Sequence, residues 1–222
     1  MLRYSIFKDR ITFIRAHNER FEKGLETFKL AANKFSDMTF AEFSQKYLSK
    51  MQKRHESQLE PIDIDDIFRK EAPAKLDWRE HGAVTAVKDQ GGCGSCWAFS
   101  ATGSLEGQIF LKKNKSVSLS EQQLVDCSIQ NQGCNGGLMD LAFDYIITNG
   151  GIEAEDTYSY KGNQGICKFN SSNIVANCLG YVDLPMGNEN ALKKAIADVG
   201  PVSVAINVAG LEFMHYRLVS SK

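Results

Sequence analysis

The stretch 90-QGGCGSCWAFS-100 places two cysteines, three glycines and a tryptophan within eleven residues, and Cys93-x-x-Cys96 is open to three chemistries. As half of a zinc site it needs a second ligand pair. Cys127, Cys134, Cys167 and Cys178 form no second CxxC and have no histidine beside them, so no metal is expected. A dithiol redox motif follows a strand in a βαβ context. Here glycine and serine surround the pair and a Trp-led helical pattern follows. A nucleophilic thiol explains more of the pattern. Cys96 falls in the first turn of a helix expected over 95–113, where unsatisfied N–H groups and the helix dipole favour a thiolate. Gly91, Gly92 and Gly94 allow a tight turn that aims donors at a developing oxyanion. Gln90 offers a side-chain NH₂ for the same purpose, and Cys93 is left as a disulfide half that pins the loop.

Periodicity outlines the elements that must hold this loop. Trp97, Ala101, Leu105 and Ile109 recur every four residues along the 95–113 helix. Ser120-x-x-Gln123 reads as a capping box, with Leu119 and Leu124 as its hydrophobic staple. Further helices are expected from about Leu138 to Thr148, ending at Asn149-Gly150-Gly151, and over 189–198. In VSVAINV (202–208), Val202, Val204, Ile206 and Val208 alternate with small or polar residues, which predicts a strand with one buried face. Upstream, residues 1 to about 22 read as helix, and Thr39-x-x-Glu42 opens a shorter one through Phe43 and Tyr47. Lys50–Ala72 is charge-dense and aperiodic, which suits an exposed connector and a boundary near 71–75. The order of elements points to an α+β architecture in two lobes.

Composition narrows the partners. The 222 residues carry 26 Lys and Arg against 27 Asp and Glu, a net charge of −1, so nothing points to nucleic acid or an anionic membrane. No apolar run approaches the roughly 18 residues of a membrane span. The start MLRYSIFKDR has no apolar signal-peptide region, yet six cysteines fall between 93 and 178. That clustering resembles a disulfide framework of an oxidising compartment, and the two readings agree if the N-terminus is incomplete. Asn114-Lys-Ser116 and Asn170-Ser-Ser172 fit the glycosylation sequon.

QGGCGSCWAFS resembles the active-site signature of the papain family of cysteine peptidases. LDWREHGAVTAVKDQ (76–90), LSEQQLVDC (119–127), GCNGGLMDLAF (133–143) and VGPVSVAIN (199–207) look like cathepsin L-type segments in the right order. Residues 1–70 resemble the family's inhibitory propeptide. Arg3, Phe7, Ile14 and Asn18 fit its interspersed helix motif, with Arg10 in place of the usual Asn. Asn33, Phe35 and Asp37 fit its second motif, with Ala31 where Gly is usual. The resemblance implies a papain-like two-lobe fold, a helical left lobe and an incomplete β-rich right lobe, preceded by a helical propeptide. Its divisions are a propeptide at 1–71 and a peptidase domain at 72–222. It implies Cys96 as nucleophile, with Gln90 and the Cys96 N–H as oxyanion donors, and no cofactor. It further implies disulfides Cys93–Cys134 and Cys127–Cys167, leaving Cys178 unassigned. Gly94, Gly136, Gly137, Leu138, Met139 and Ala205 become substrate-binding, although the residues alone favour simple core packing for Leu138, Met139 and Ala205. The expected substrates are polypeptides with a bulky apolar residue near the scissile bond. The expected occupant of the cleft in the precursor is the chain's own propeptide, its connector running against the substrate direction. The expected location is the lysosome or the outside of the cell.

The same resemblance raises the question of the base. The family's His and its orienting Asn lie roughly 130–150 residues after the nucleophile, and 126 residues follow Cys96. His17 belongs to the propeptide helix, His55 to the connector and His81 to a surface segment. His215 directly follows the expected strand and lacks the family's surroundings, and RLVSSK departs from the pattern after Tyr216. The sequence therefore predicts a chain truncated before its His and Asn. The alternatives to an active endopeptidase are a catalytically inactive product and a propeptide-type inhibitor acting in trans on related peptidases. The expected outcome for the purified 222-residue chain, with residues 1–71 removed, is no measurable hydrolysis of a Phe-Arg fluorogenic peptide. Robust turnover that Cys96→Ala abolishes would refute this expectation.

Overall fold

A computed structural model describes residues 2–49 and 71–219; most of the expected connector, with His55, lies outside the described residues. In chain order the elements are α1 (Leu2–Glu22), β1 (Phe28–Leu30), α2 (Phe40–Tyr47), α3 (Cys96–Lys113), α4 (Glu121–Cys127) and α5 (Met139–Asn149). They continue with β2 (Ile152–Glu153), β3 (Ile174–Ala176), α6 (Glu189–Asp198), α7 (Leu211–Met214) and β4 (Tyr216–Val219). The chain forms two compact units that do not follow its order. Met1–Tyr47 joins Ile206–Lys222 in one, and Leu48–Ala205 makes the other.

In the first unit β1 pairs antiparallel with β4, Phe28 facing Val219 and Leu30 facing Tyr216. Asn18 of α1 grips β1 in both directions: its Nδ2 donates to the Leu30 carbonyl and its Oδ1 accepts the Leu30 N–H, each at 2.9 Å. Asn33 Nδ2 donates to the Met214 carbonyl at 2.8 Å, across 181 residues of sequence. The capping box at α2 is complete: the Glu42 N–H donates to Thr39 Oγ1 and the Thr39 N–H donates to Glu42 Oε2. Arg3 adds two guanidinium bonds to the same carboxylate. The Thr39 backbone bond first, then Arg3, lowers the Glu42 pKa to about 2.

The second unit is organised around α3. Trp97, Ala101, Leu105 and Ile109 all point into a core shared with Leu119, Leu124, Ile146 and Ile152. The last four are 0% exposed, and burying each such side chain is worth about 1.5–3 kcal/mol. Ser120 caps α4 by accepting the Gln123 N–H at 2.9 Å. The reciprocal arm of that box is not made, because Gln123 Oε1 accepts the Glu153 N–H instead and ties α4 to β2. β2 and β3 pair antiparallel, Ile152 facing Ala176. Cys93–Cys134 and Cys127–Cys167 are disulfide-bonded, each closing about 40 residues (separations 41 and 40). Trp78 Nε1 donates to the Ile196 carbonyl and holds α6.

The strand expected over 202–208 does not form. Alternation specifies a face, but a ladder requires a neighbouring strand, and among the described residues none pairs with this segment. Its backbone bonds instead to a helix side chain: the Val204 N–H donates to Ser100 Oγ and the Val204 carbonyl accepts from it. Val204 and Ile206 are 50% and 67% exposed, so the expected buried face is open.

His215 stands in the first unit at 0% exposure, its carbonyl accepting the Ala31 N–H. Neither ring nitrogen has a hydrogen-bond partner among the described residues. Burial, then the charge of Arg10, pushes its pKa below the ordinary 6.5, so the fold holds a neutral ring. A depressed folded pKa means that stability is full above about pH 6.5 and is lost as pH falls through the folded value. Protection factors of the Leu30, Ala31 and His215 amides, taken against the intrinsic exchange rate at each pH, should therefore fall on acidification below that point. His215→Phe should flatten the dependence; an unchanged slope in the variant would exclude His215 as its source.

Candidate active site

Cys96 is the first residue of α3 and its thiol is free and exposed, although Ser95 and Trp97 on either side are 0% and 1% exposed. Three contacts fix this presentation. The Trp97 indole N–H donates to the Gly133 carbonyl at 3.0 Å. The Gly94 N–H donates to the Cys134 carbonyl at 2.8 Å, beside the Cys93–Cys134 bond. Gly94 and Gly137 permit the close approach: a Cβ on Gly94 would lie 2.5 Å from the Cys134 carbonyl oxygen, and one on Gly137 2.8 Å from the Trp97 ring.

The start of α3 carries no side-chain cap. The Ser95 hydroxyl is drawn away to Tyr160 Oη at 2.6 Å, and the Tyr160 hydroxyl donates in turn to the Gln90 carbonyl at 2.8 Å. Because the phenol has one proton and gives it to Gln90, Ser95 is the donor of the first bond. The Cys96 N–H has no partner among the described residues, as expected of an uncapped first turn. Gln90 Nε2 donates to the Cys93 carbonyl at 2.8 Å, which brings its amide to the loop before Cys96. Cys96 and Gln90 share the wall of an open groove of about 410 Å³ with Phe99 and Gly103.

The other expected substrate-binding residues approach the thiol by different routes. Gly136 and Gly137 are buried in the loop that packs on Trp97, and Leu138 and Met139 are half-buried at the start of α5. The Leu138 N–H donates to Asn131 Oδ1, and Met139 packs against the core. Ala205 is exposed and follows Val204, which Ser100 holds one turn beyond Cys96. None of these five lines the groove that contains Cys96 and Gln90. Of the histidines, His17 is 8% exposed and bonded to the Phe28 carbonyl, His81 is exposed beside the Trp78 ring, and His215 is buried.

Sequence reading missed the polar floor of the groove. Lys88 Nζ lies 2.7 Å from Glu106 Oε1 and 2.6 Å from Glu121 Oε1. Thr85 donates to Glu106 and Thr102 to Glu121. Glu106 and Glu121 are 2% and 0% exposed, and Glu121 Oε2 has no partner among the described residues. Burial raises the Glu121 pKa despite Lys88. Burial opposes the Lys88 charge as well, but the two carboxylates outweigh it and hold the ammonium protonated. The signal for this cluster was present: Thr102 and Glu106 lie four apart, each one position past the apolar stripe, and a carboxylate there must find a cation.

Comparison with known proteins places the chain among thiol proteases and their precursors. The profile of the papain family cysteine protease matches residues 72–219, and that of the cathepsin propeptide inhibitor domain (I29) matches residues 1–43. A cathepsin L-like peptidase of Aedes aegypti is 48% identical over 97% of this chain and 66% of its own length. Procathepsin L of Mus musculus is 47% identical over 96% of this chain and 64% of its own. The solved structure of digestive procathepsin L 3 from Tenebrio molitor larval midgut aligns with a TM-score of 0.74 and 42% identity. That alignment covers 88% of this chain and 62% of the other. The chain thus spans just under two thirds of the length of these relatives.

Lys88→Met leaves two buried carboxylates without their cation, and removing one partner of such a cluster costs about 3–5 kcal/mol. Urea unfolding followed by tryptophan fluorescence should register that loss, with Lys88→Arg much milder. A loss below about 1 kcal/mol, the scale of an exposed pair, would contradict the burial of the cluster.

Proposed function

We propose, from the premise that the chain belongs to the papain family of cysteine proteases, that it derives from a cathepsin L-like endopeptidase precursor in which Cys96 is the nucleophile. One observation carries the reading: within the segment matched to the protease family, an exposed thiol begins a buried helix whose first turn has no side-chain cap. Its own N–H is unpartnered among the described residues and Gln90 shares its groove. In the reaction Cys96 Sγ adds to the scissile carbonyl carbon and the oxyanion takes donors from the Cys96 N–H and Gln90 Nε2. The C–N bond then breaks, the amine leaves with a proton from a general acid, and a thioester remains. Water adds to the thioester, the C–S bond breaks, and the acid product and free thiol are released.

Gly94, Gly136, Gly137, Leu138, Met139 and Ala205 are the proposed substrate-binding residues, and a bulky apolar side chain near the scissile bond is the proposed preference. Residues 1–71 are proposed as the inhibitory propeptide and 72–222 as peptidase domain, in keeping with the two family matches. Two disulfides fit a lysosomal or secreted protein.

The test asks whether Cys96 behaves as the nucleophile. A peptidyl epoxide with an apolar residue next to its warhead is incubated with the chain after removal of residues 1–71, and the adduct is located by mass spectrometry. Modification is expected at Cys96 and absent in Cys96→Ala, with the free thiol of Cys178 spared. Gln90→Ala should slow acylation by a peptide thioester by roughly 10²-fold, the effect of removing one oxyanion donor. Equal labelling of Cys96 and Cys178, or labelling indifferent to the peptide portion, would reject the assignment.

A further inference from the structure

We infer that Asn114 and Asn170 are attachment sites for N-linked glycans, added from a lipid-linked oligosaccharide in the compartment where the two disulfides form. Asn114-Lys115-Ser116 and Asn170-Ser171-Ser172 are the acceptor triplets, neither with proline at its centre. All six residues are exposed in the folded chain. Cys93–Cys134 and Cys127–Cys167 are an independent sign of the route, since such bonds form and persist in the oxidising lumen that also holds the transferase.

The local geometry of each site accepts a sugar without losing a contact. Asn114 ends α3 in the left-handed conformation (φ 51°), and its backbone N–H donates to the Phe110 carbonyl. Its side-chain amide has no partner among the described residues. Its place at the far end of an 18-residue helix from Cys96 corresponds to about 27 Å at 1.5 Å per residue, so a glycan there stays clear of the thiol. Asn170 opens a short 3₁₀ turn over Ser171–Asn173, where its Oδ1 accepts the Ser172 N–H at 3.0 Å. Its backbone N–H donates to Glu153 Oε1 at 2.8 Å. Glycosylation uses only Nδ2. The Nδ2–C1 bond forms, the C1–O bond to the lipid pyrophosphate breaks, and one amide proton leaves with the pyrophosphate. Oδ1 keeps its lone pairs, so the turn at Asn170 persists with the glycan in place.

The same geometry selects the variants. Ser116→Ala and Ser172→Ala destroy the acceptor triplets while leaving Asn114 to end its helix and the Ser172 N–H to bond Asn170 Oδ1. Asn170→Asp keeps the accepting oxygen and removes the transferable amide. The full chain, carrying an added secretory leader, is translated with microsomal membranes, and only protease-protected product is scored. Two mobility steps are expected, both removed by peptide N-glycosidase. Each single serine variant should lose one step and the double variant both, with Asn170→Asp matching Ser172→Ala. Protected chain with no step, or steps that survive in the double variant, would overturn the inference. A single step insensitive to one of the serine variants would eliminate that site.

Discussion

Everything near the thiol depends on one demand: Cys96 must be exposed while the residues on both sides are buried. A helix turns about 100° per residue, so a stripe through Trp97, Ala101, Leu105 and Ile109 that faces the core rotates Cys96 to its edge. The stripe alone fixes only a sector. The Trp97 indole bonded to the Gly133 carbonyl, and the Gly94 N–H bonded to the Cys134 carbonyl, fix the azimuth and the entry of the chain. The disulfide at Cys93 then makes that entry covalent. This also explains why Ser95, a favoured capping residue by type, does not cap. Its hydroxyl is spent on Tyr160, which holds Gln90, and the helix start keeps its N–H groups for something outside the helix.

Beneath the groove the unit carries an expensive arrangement. Two carboxylates and one ammonium in the interior cost desolvation that a set of apolar residues would not. The cluster also does what apolar residues could not do, because it joins distant segments by directed bonds. Lys88 precedes the glycine-rich loop that leads to Cys96, Glu106 lies midway along α3 and Glu121 begins α4. The Leu119 N–H donates to Glu106 as well, so the loop, the helix and the next helix are registered to each other by angle as well as by contact. Glu121 Oε2, without a partner among the described residues, and the pKa of that group, raised by burial, both reflect a second carboxylate buried beside the single ammonium of Lys88.

The first unit uses the same device in a simpler form. Its helix α1 buries few side chains, Ile14 and His17 among them, and amide side chains supply what packing does not. Asn18 and Asn33 bond to the backbone of β1 and of the residue before His215 respectively. His215 is the exception to this economy, a polar ring buried near Arg10 with no hydrogen-bond partner among the described residues. The motif that suggested the unit's character uses Arg3, Phe7, Ile14 and Asn18, with Arg10 as its departure. The departure and the unsatisfied histidine fall in the same place.

Along the chain alone the longer helices, the capping box at Thr39 and the glycine stop at Gly150 were already legible in the sequence. Periodicity, capping and motif spacing act over three to ten residues, and a helix satisfies its own backbone. The sequence also singled out Cys96 as a cysteine at a helix start behind a glycine-rich turn, the position it occupies as the first residue of α3. Whatever required a partner far along the chain took its form only on folding. The alternating 202–208 segment is not a strand, because a strand needs a neighbour and this one meets Ser100 instead. The box at Ser120 is half made, because Gln123 has a better use 30 residues on at Glu153. Lys88, Glu106 and Glu121 are unremarkable charges along the chain and become one cluster only when three segments meet. A local pattern can name the donor; which acceptor it takes is settled by competition among all the groups that folding brings within reach.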